Sequence, residues 1–172
     1  MEKTLAMKVL EGQKVPYQVL TYPETERDAR VIAHLFGVPA AQVFKTLVVP
    51  RPVGKPLLAL VPADAQLDLK KLAKEVGEKK LKMAAHKEAE ALTGLQVGGI
   101  SPLALLNKGF TVLIDSSARA QEFVYVSAGK KGVNLRVPVA ALQRITKARY
   151  VDMAVPVDDA ESRRRTTRNE NF

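Results

Sequence analysis

An apolar run with a single lysine inside it, residues 43–49, constrains the fold more than any other feature of the sequence. Its β-branched and aromatic residues predict a buried strand in the core of the protein. Lys45 stands in the middle of this run, and an unpaired charge in a core is energetically costly. The lysine therefore needs a partner, a water-filled cavity or a ligand, unless its aliphatic stem carries the charge to the edge of the sheet. Lys45 is the first candidate for a functional residue.

Helical and strand periodicity along the chain predicts an α/β (mixed α+β) protein with one domain. The predicted helices cover residues 3–11, 29–36, 69–76, 86–92 and 138–145. The predicted strands cover residues 17–22, 43–49, 57–61, 110–115, 122–127, 133–137 and 148–152. Because strands and helices do not alternate strictly, we expect a mixed sheet, largely antiparallel late in the chain, with helices packed around it.

The second and third predicted helices carry capping residues at both ends. Asp28 and Asp68 precede them, and a short carboxylate side chain can accept hydrogen bonds from the first backbone N–H groups of a helix. Gly37 and Gly77 follow them, in the position where glycine commonly ends a helix. The apolar spacing of the second helix predicts an inward face formed by Ile32, Leu35 and Phe36.

The composition excludes several classes of chemistry. The chain of 172 residues has no cysteine, which excludes a disulfide framework, a thiol nucleophile and a thiolate metal site. Its two histidines, His34 and His86, are isolated and give no recognisable metal-ligand spacing. No apolar run approaches the ~20 residues of a membrane span, and the N-terminus does not resemble a secretory signal. We expect a cytoplasmic protein that binds neither a metal nor a membrane.

The net charge of +9 favours a polyanionic partner, and nucleic acid is the usual one. Residues 158–172 hold four arginines and four acidic residues, so the positive excess belongs to the chain before them. The lysines that we expect to contact nucleic-acid phosphates are Lys70, Lys71, Lys74, Lys130 and Lys131. The alternative is that they cover a solvated helix face and a hairpin turn. We expect residues 1–154 to form the folded domain and residues 155–172 a flexible polar tail, either a solvated end or an arm that touches RNA.

Three further segments could contribute to a site. Gly98 and Gly99 would let the backbone approach a ligand closely and direct N–H groups at it, or would form an ordinary tight turn. Ser127 opens the glycine- and lysine-rich segment 127–132, which can also be a hairpin turn. Tyr22 could stack on a base or hydrogen-bond a substrate amine, or could be half-buried packing. Because the common nucleophile-elbow and metalloprotease motifs are absent, chemistry here would depend on positioning and electrostatics.

Four segments of the chain occur in the same order in one protein family. They are Val43-Phe44-Lys45-Thr46-Leu47, Gln66-Leu67-Asp68-Leu69-Lys70-Lys71, Thr93-Gly94 with Val97-Gly98-Gly99-Ile100-Ser101-Pro102-Leu103, and Tyr125-Val126-Ser127-Ala128-Gly129-Lys130-Lys131-Gly132. Together they resemble the YbaK/EbsC proteins, which are free-standing relatives of the editing insertion domain of bacterial prolyl-tRNA synthetase. The resemblance covers residues 3–153, and the set is specific although no single segment would be.

The resemblance implies a trans-editing deacylase, which hydrolyses the ester between a wrong amino acid and its tRNA. The subgroup most similar to this chain removes cysteine from tRNA(Pro), and there the substrate's own thiol attacks the ester. In relatives that remove alanine, water is the nucleophile. The implied fold is a curved, partly barrel-like mixed β-sheet flanked by helices, with no metal or organic cofactor. The implied partners are mischarged tRNA and, as a candidate, prolyl-tRNA synthetase.

The same resemblance implies roles for individual residues. Lys45 matches the essential lysine of the family. The positions that match its substrate-binding residues are Tyr22, Thr46, Gly98, Gly99 and Ser127. Asn134, also expected to contact the substrate, stands where the subgroup has an aspartate, and it keeps hydrogen bonding without the charge. Asp28 stands where the subgroup has a pocket phenylalanine, which would make the pocket wall more polar.

These departures leave two alternatives open beside the removal of cysteine. One is a deacylase for another small amino acid, such as alanine. The other is a non-catalytic protein that binds aminoacyl-tRNA or docks on a synthetase.

Overall fold

The computed structural model describes residues 1–157, and this part of the chain contains five α-helices and nine β-strands. The helices are α1 (Leu5–Gly12), α2 (Ala29–Phe36), α3 (Leu69–Val76), α4 (His86–Thr93) and α5 (Val139–Thr146). The strands are β1 (Gln18–Thr21), β2 (Phe44–Val49), β3 (Leu57–Pro62), β4 (Ala65–Leu67), β5 (Thr111–Asp115), β6 (Phe123–Ser127), β7 (Val133–Pro138), β8 (Arg149–Val151) and β9 (Ala154–Pro156). Every predicted helix and strand is present, and the mixed α+β class is confirmed.

The described strands form three sheets, so the single, partly barrel-like sheet that the resemblance implied is not confirmed. The largest has the order β2-β3-β5-β8, in which β2 is antiparallel to β3 while β3, β5 and β8 are parallel. An antiparallel sheet has the order β1-β7-β6, and an isolated bridge between Val43 and Tyr125 links it to the start of β2. These strands do not close into a barrel, because β1 and β8 each end their sheet without a further strand.

The helices α2 and α3 begin and end at the residues that the sequence predicted. Asp28 accepts a hydrogen bond from the N–H of Arg30 at 2.9 Å, and Gly37 ends α2 with a φ of 70°. Asp68 caps α3 in the same way, and Gly77 ends it with a φ of 74°. Because glycine adopts a positive φ without a steric penalty, each helix stops where a glycine occurs.

The face of α2 that packs inward differs from the predicted one. Leu35 was expected to point into the core, but it is 54% exposed. The buried residues of this helix are Ala29, Ile32 and Ala33. The prediction for Leu35 is therefore wrong, because the helix packs through Ala29, Ile32 and Ala33 and leaves Leu35 on the outer side.

The central strands β2 and β3 are buried along their whole lengths. The two faces of β2 belong to different hydrophobic clusters. Phe44 and Val48 lie in the larger one, and Leu47 and Val49 lie in a second one that includes residues of α3. Since successive side chains of a strand point to opposite faces, this strand is packed on both sides. Lys45 therefore lies in one of the most enclosed strands of the described chain.

A pair of short strands was not predicted. β4 and β9 are three residues long and pair with each other in antiparallel fashion. Val155 and Pro156, which the sequence assigned to the flexible tail, belong to β9, so the predicted boundary after residue 154 falls inside a strand. The predicted tail from residue 158 to residue 172 lies outside the described residues. Within residues 1–157, no helix has the length and apolar character needed to cross a membrane.

Candidate active site

A pocket opens at the beginning of β2, between α2, the glycine loop at residues 98–99 and the facing ends of β6 and β7. It contains about 300 Å³ of space, open solvent included. The lining residues are Tyr22, Ala29, Ile32, Val43, Phe44, Lys45, Thr46, Gly98, Ile100, Ser127 and Asn134. Every residue predicted to bind or act on a substrate lies in this wall except Gly99.

Lys45 gives the pocket wall a basic side chain from a strand that is otherwise almost entirely apolar. It is 7% exposed and pairs in register with Val61 of β3. The alternative that its stem reaches bulk solvent at a sheet edge does not fit this burial. Because little water screens a charge at such a position, its effect on a bound group is stronger than at the surface.

Thr46 contributes a buried hydroxyl that has no hydrogen-bonding partner in the described part of the chain. The residue is 2% exposed and lines the pocket next to Lys45. Leaving a buried polar group unsatisfied costs about 1–3 kcal/mol. A pocket ligand that offers a donor or an acceptor to Oγ1 would remove this cost.

Ser127 and Asn134 face each other across β6 and β7, where they are register partners. Oγ of Ser127 accepts a hydrogen bond from the N–H of Gly129 at 3.1 Å, which holds the start of the following loop. Asn134 is 5% exposed and also pairs with Leu20 of β1. Because an amide side chain both donates and accepts, the two residues can orient an amine and a carbonyl of one ligand.

Tyr22 follows β1 and connects it to the glycine loop. Its hydroxyl donates to the carbonyl of Gly98 at 3.3 Å, and its ring packs edge-on against Phe36 with 6.0 Å between centroids. Burial raises the pKa of the Tyr22 hydroxyl above its ordinary value, while the positive charge of Arg27 acts in the opposite direction. The hydroxyl therefore remains a protonated donor throughout the physiological pH range.

The two glycines of the loop are needed for different reasons. Gly98 has a φ of 93°, which side-chain-bearing residues rarely adopt. A Cβ on Gly99 would lie 2.8 Å from the carbonyl carbon of Lys130 and 2.9 Å from the amide nitrogen of Lys131. The N–H of Gly99 donates to the carbonyl of Gln96 at 2.8 Å, so it closes the turn. The prediction that both glycines direct N–H groups at a ligand is therefore wrong for Gly99.

Arg27 is a residue of this region that the sequence did not indicate. Its Nη1 donates to the carbonyl of Val97 at 2.6 Å, and the N–H of Val97 donates to the Glu90 carboxylate at 2.8 Å. The segment that leads into Gly98 is thus held from both sides. Arg27 occurs in the charged stretch 24–30, where no motif or spacing distinguishes it from its neighbours.

Asp28 does not form part of the pocket wall. Its carboxylate caps α2 and lies 3.8 Å from Nε of Arg30. Ala29 and Ile32 of the same helix line the pocket instead. The prediction that an aspartate makes the wall more polar is wrong, and this side of the pocket suits a small apolar or weakly polar group.

The lysines predicted to bind tRNA lie in two places. Lys70 and Lys74 are exposed on α3, where Lys71 forms an ion pair at 3.4 Å, and no residue of this helix lines the pocket. The backbone of Lys130 and Lys131 packs directly against the glycine loop beside the pocket. Across residues 1–157, no group of three histidine, aspartate or glutamate side chains is arranged to hold a metal ion.

Residues 23–145 match the sequence model of the aminoacyl-tRNA editing domain, and this range holds nearly the whole pocket wall. The chain therefore belongs to the aminoacyl-tRNA editing domain family, whose members act on mischarged aminoacyl-tRNA and are related to prolyl-tRNA synthetase. The resemblance drawn from the four sequence segments is confirmed.

Individual relatives agree with this membership. The chain is 34% identical over 154 residues, 88% of this chain and 93% of the other, to an Enterococcus faecalis protein named "Putative Cys-tRNA(Pro)/Cys-tRNA(Cys) deacylase EbsC". It is 32% identical over 105 residues, 61% of this chain and 18% of the other, to the proline–tRNA ligase of Nitratidesulfovibrio vulgaris. A crystal structure described as "a putative trans-editing enzyme for prolyl tRNA synthetase" superimposes with a TM-score of 0.74 at 25% identity, covering 88% of this chain and 95% of the other.

Proposed function

We propose that this chain is a free-standing editing deacylase that hydrolyses the ester of mischarged tRNA, with Cys-tRNA(Pro) as its substrate. The observation that carries the proposal is the pairing of Lys45, 7% exposed, with the unpartnered hydroxyl of Thr46 in one solvent-connected pocket. Family membership and the name of the Enterococcus faecalis relative support the choice of substrate.

Lys45 is the proposed catalytic residue. Its side chain would bind the carbonyl oxygen of the aminoacyl ester and stabilise the negative charge that develops there when a nucleophile attacks. Thr46 also lines the pocket, and its hydroxyl would donate a hydrogen bond to another oxygen of the substrate, such as a ribose oxygen. Both groups are fixed by a strand that is buried on all sides, so little reorganisation is needed during the reaction.

The nucleophile in this proposal comes from the substrate. The chain has no cysteine, and its histidines, His34 and His86, do not line the pocket. The thiol sulfur of the esterified cysteine would attack its own carbonyl carbon, losing its proton to solvent. A C–S bond forms as the ester C–O bond breaks, and the terminal ribose oxygen of the tRNA takes up a proton from solvent and leaves as a hydroxyl. Water then opens the resulting cysteine thiolactone to give free cysteine. The protein supplies position and charge, which fits a wall without a nucleophilic triad.

The remaining wall residues would select the amino acid. Ala29 and Ile32 offer an apolar surface to a small side chain, and Ser127 and Asn134 would orient the α-amino group. Asn134 binds an amine by hydrogen bonding without a full negative charge, so orientation would depend on geometry more than on charge attraction.

A panel of tRNA(Pro) charged separately with cysteine, alanine and proline tests the proposal. We expect Cys-tRNA(Pro) to be hydrolysed about 10- to 200-fold faster than Pro-tRNA(Pro), the range that one small group in a pocket supports. Blocking the thiol of the esterified cysteine by alkylation should abolish this advantage. Addition of prolyl-tRNA synthetase to the same assay shows whether that enzyme raises kcat/KM.

The panel also distinguishes the alternatives. Faster hydrolysis of Ala-tRNA(Pro) would replace cysteine by alanine as the substrate and water as the nucleophile. Binding of mischarged tRNA without acceleration of hydrolysis for any amino acid would contradict a deacylase and leave a binding protein.

A further inference from the structure

Basic side chains surround the outer side of the glycine that lines the pocket. A Cβ placed on Gly98 would lie 2.9 Å from Nη1 of Arg27 and 3.6 Å from Cγ of Lys131. Lys130 precedes Lys131 in the loop that contacts Gly99. Arg27 and Lys130 are exposed and Lys131 is half-buried, so these groups lie at the rim of the pocket and not inside it.

In the described part of the chain, Arg27, Lys130 and Lys131 form no ion pair. The acidic residues near this rim make other contacts instead. The carboxylate of Glu26 accepts backbone N–H groups, at 3.1 Å from Arg27 and 3.2 Å from the following residue. The Asp28 carboxylate caps α2. Glu24 lies against the neighbouring loop, with its Cγ 3.0 Å from the position of a Cβ on Gly132. The three basic side chains therefore remain available to a bound anion next to the pocket.

We propose that Arg27 and Lys131, assisted by Lys130, form a phosphate clamp that binds the phosphodiester on the 5′ side of the terminal adenosine of the tRNA. This inference rests on the proposed function, because the clamp places the acylated nucleotide in the pocket of that deacylase. Arg27 is a binding residue in this scheme and takes no part in bond breaking.

The geometry suits this role. One nitrogen of the Arg27 guanidinium is held by the Val97 carbonyl at 2.6 Å, which fixes the orientation of the side chain. The remaining N–H groups of a guanidinium form a planar fork that matches the oxygens of a phosphate. Lys131 supplies a mobile point charge close to the Arg27 guanidinium, because both side chains lie within 4 Å of the position that a Cβ on Gly98 would take. Contacts of this kind position a nucleic acid without reading its sequence.

Two small substrates test the clamp directly. One is the 3′-cysteinyl ester of adenosine, and the other is the same ester of adenosine 5′-methylphosphate, which carries the single negative charge of a phosphodiester. We expect kcat/KM of the wild-type protein to be roughly tenfold higher for the ester that carries the phosphate, as one charged hydrogen bond supports. Arg27→Gln and Lys131→Gln should each reduce this ratio to about one or two.

Matched variants separate the clamp from a structural effect. Arg30→Gln removes the same charge from the same segment, and we expect it to keep the wild-type ratio. Lys131→Gln leaves the bond from Arg27 to Val97 in place, so a loss of the ratio in this variant is independent of loop anchoring. Arg27→Lys, which keeps the charge, should retain part of the ratio.

The outcomes also separate the two proposals. A wild-type protein that accelerates neither the esters nor Cys-tRNA(Pro) contradicts the proposed function itself. A wild-type protein that hydrolyses Cys-tRNA(Pro) but shows no preference for the phosphate-bearing ester overturns the clamp alone. The clamp is also overturned if Arg27→Gln and Lys131→Gln both keep the wild-type ratio.

Discussion

The lysines of this protein occur in two contrasting settings, the pocket and the surface of α3. Lys45 is 7% exposed inside a strand that is packed on both faces. Lys70 and Lys74 are exposed on an eight-residue helix that packs through Leu72 and Ala73. Lysine side chains thus occur in two environments: Lys45 is largely shielded from water, whereas Lys70 and Lys74 are surrounded by it.

This contrast indicates what each region can do. A charge with little surrounding water interacts strongly with one bound group at short range, whereas exposed charges are screened within about 10 Å at ordinary salt. We therefore propose that the pocket carries the chemistry and that α3 attracts tRNA weakly and in a salt-sensitive way.

The largest effect is expected from Lys45→Met, which removes the charge and keeps most of the volume. Deacylation of Cys-tRNA(Pro) should fall by about 10²–10³-fold, the usual loss when one group that stabilises an oxyanion is removed. Single-turnover kinetics measure this loss, with circular dichroism as the check on folding. Lys74→Met on α3 is the matched control and should keep the rate within about twofold. Equal losses in the two variants would abolish the distinction between the regions.

Replacing a glycine by alanine should also have different effects in the two regions. Gly99→Ala places a methyl group 2.8 Å from the backbone of Lys130, so we expect a loss of about 1–3 kcal/mol in unfolding free energy and a loss of activity. Gly77→Ala, at the end of α3, meets no atom within 4 Å and is disfavoured only by its φ of 74°. It should cost about 1 kcal/mol without lowering kcat/KM of the folded protein. Urea denaturation together with the deacylation assay tests both; a Gly99 variant with full stability and activity would contradict the close packing.

Thr46→Val should separate stability from activity. Replacing the unpartnered hydroxyl by a methyl group of similar size should raise the unfolding free energy by about 1 kcal/mol. The same change should lower kcat/KM by roughly tenfold if the hydroxyl binds the substrate. Thr93→Val is the control, because the Thr93 hydroxyl is equally buried but donates to the carbonyl of Ala89 at 2.8 Å. That variant should lose stability, so changes of the same sign in both variants would argue against an unsatisfied hydroxyl at Thr46.

The smallest effect is expected on α3. The double variant Lys70→Gln, Lys74→Gln should weaken tRNA binding severalfold at low salt and leave hydrolysis of a small cysteinyl ester at the wild-type rate. The slope of log K against log salt should become shallower by about 0.9 for each phosphate that the variant no longer neutralises. Fluorescence anisotropy across a salt series measures the slope, and an unchanged slope would remove α3 from the tRNA-binding surface.

The helices were the most predictable part of the fold. For α2 and α3, both ends are specified locally by an aspartate cap and a glycine, so the sequence contains the complete signal. β4 and β9 were missed because their pairing joins distant parts of the chain and depends on neighbours that the local sequence does not show. The inward face of α2 was misjudged at Leu35 because spacing alone does not show which of two apolar stripes meets the sheet.

The site was predictable where a residue type is unusual for its surroundings. A lysine in an apolar strand and adjacent glycines in a loop can be recognised from the sequence alone. The bond from Arg27 to Val97 joins distant segments and leaves no local signal in the sequence. The adjacent glycines alone did not show that the Gly99 N–H closes its own turn. The Asp28 cap was visible, yet the resemblance also suggested a pocket position for it.

Locating the site at which the acylated end of tRNA binds is the most direct test of the role proposed for the pocket. An NMR titration of ¹⁵N-labelled protein with a cysteinyl-adenosine analogue, in which an amide replaces the ester, measures this without turnover. We expect the largest chemical-shift changes at the backbone amides of Gly98, Ser127 and Asn134. Saturable changes confined to α3, with the pocket amides unmoved, would contradict it.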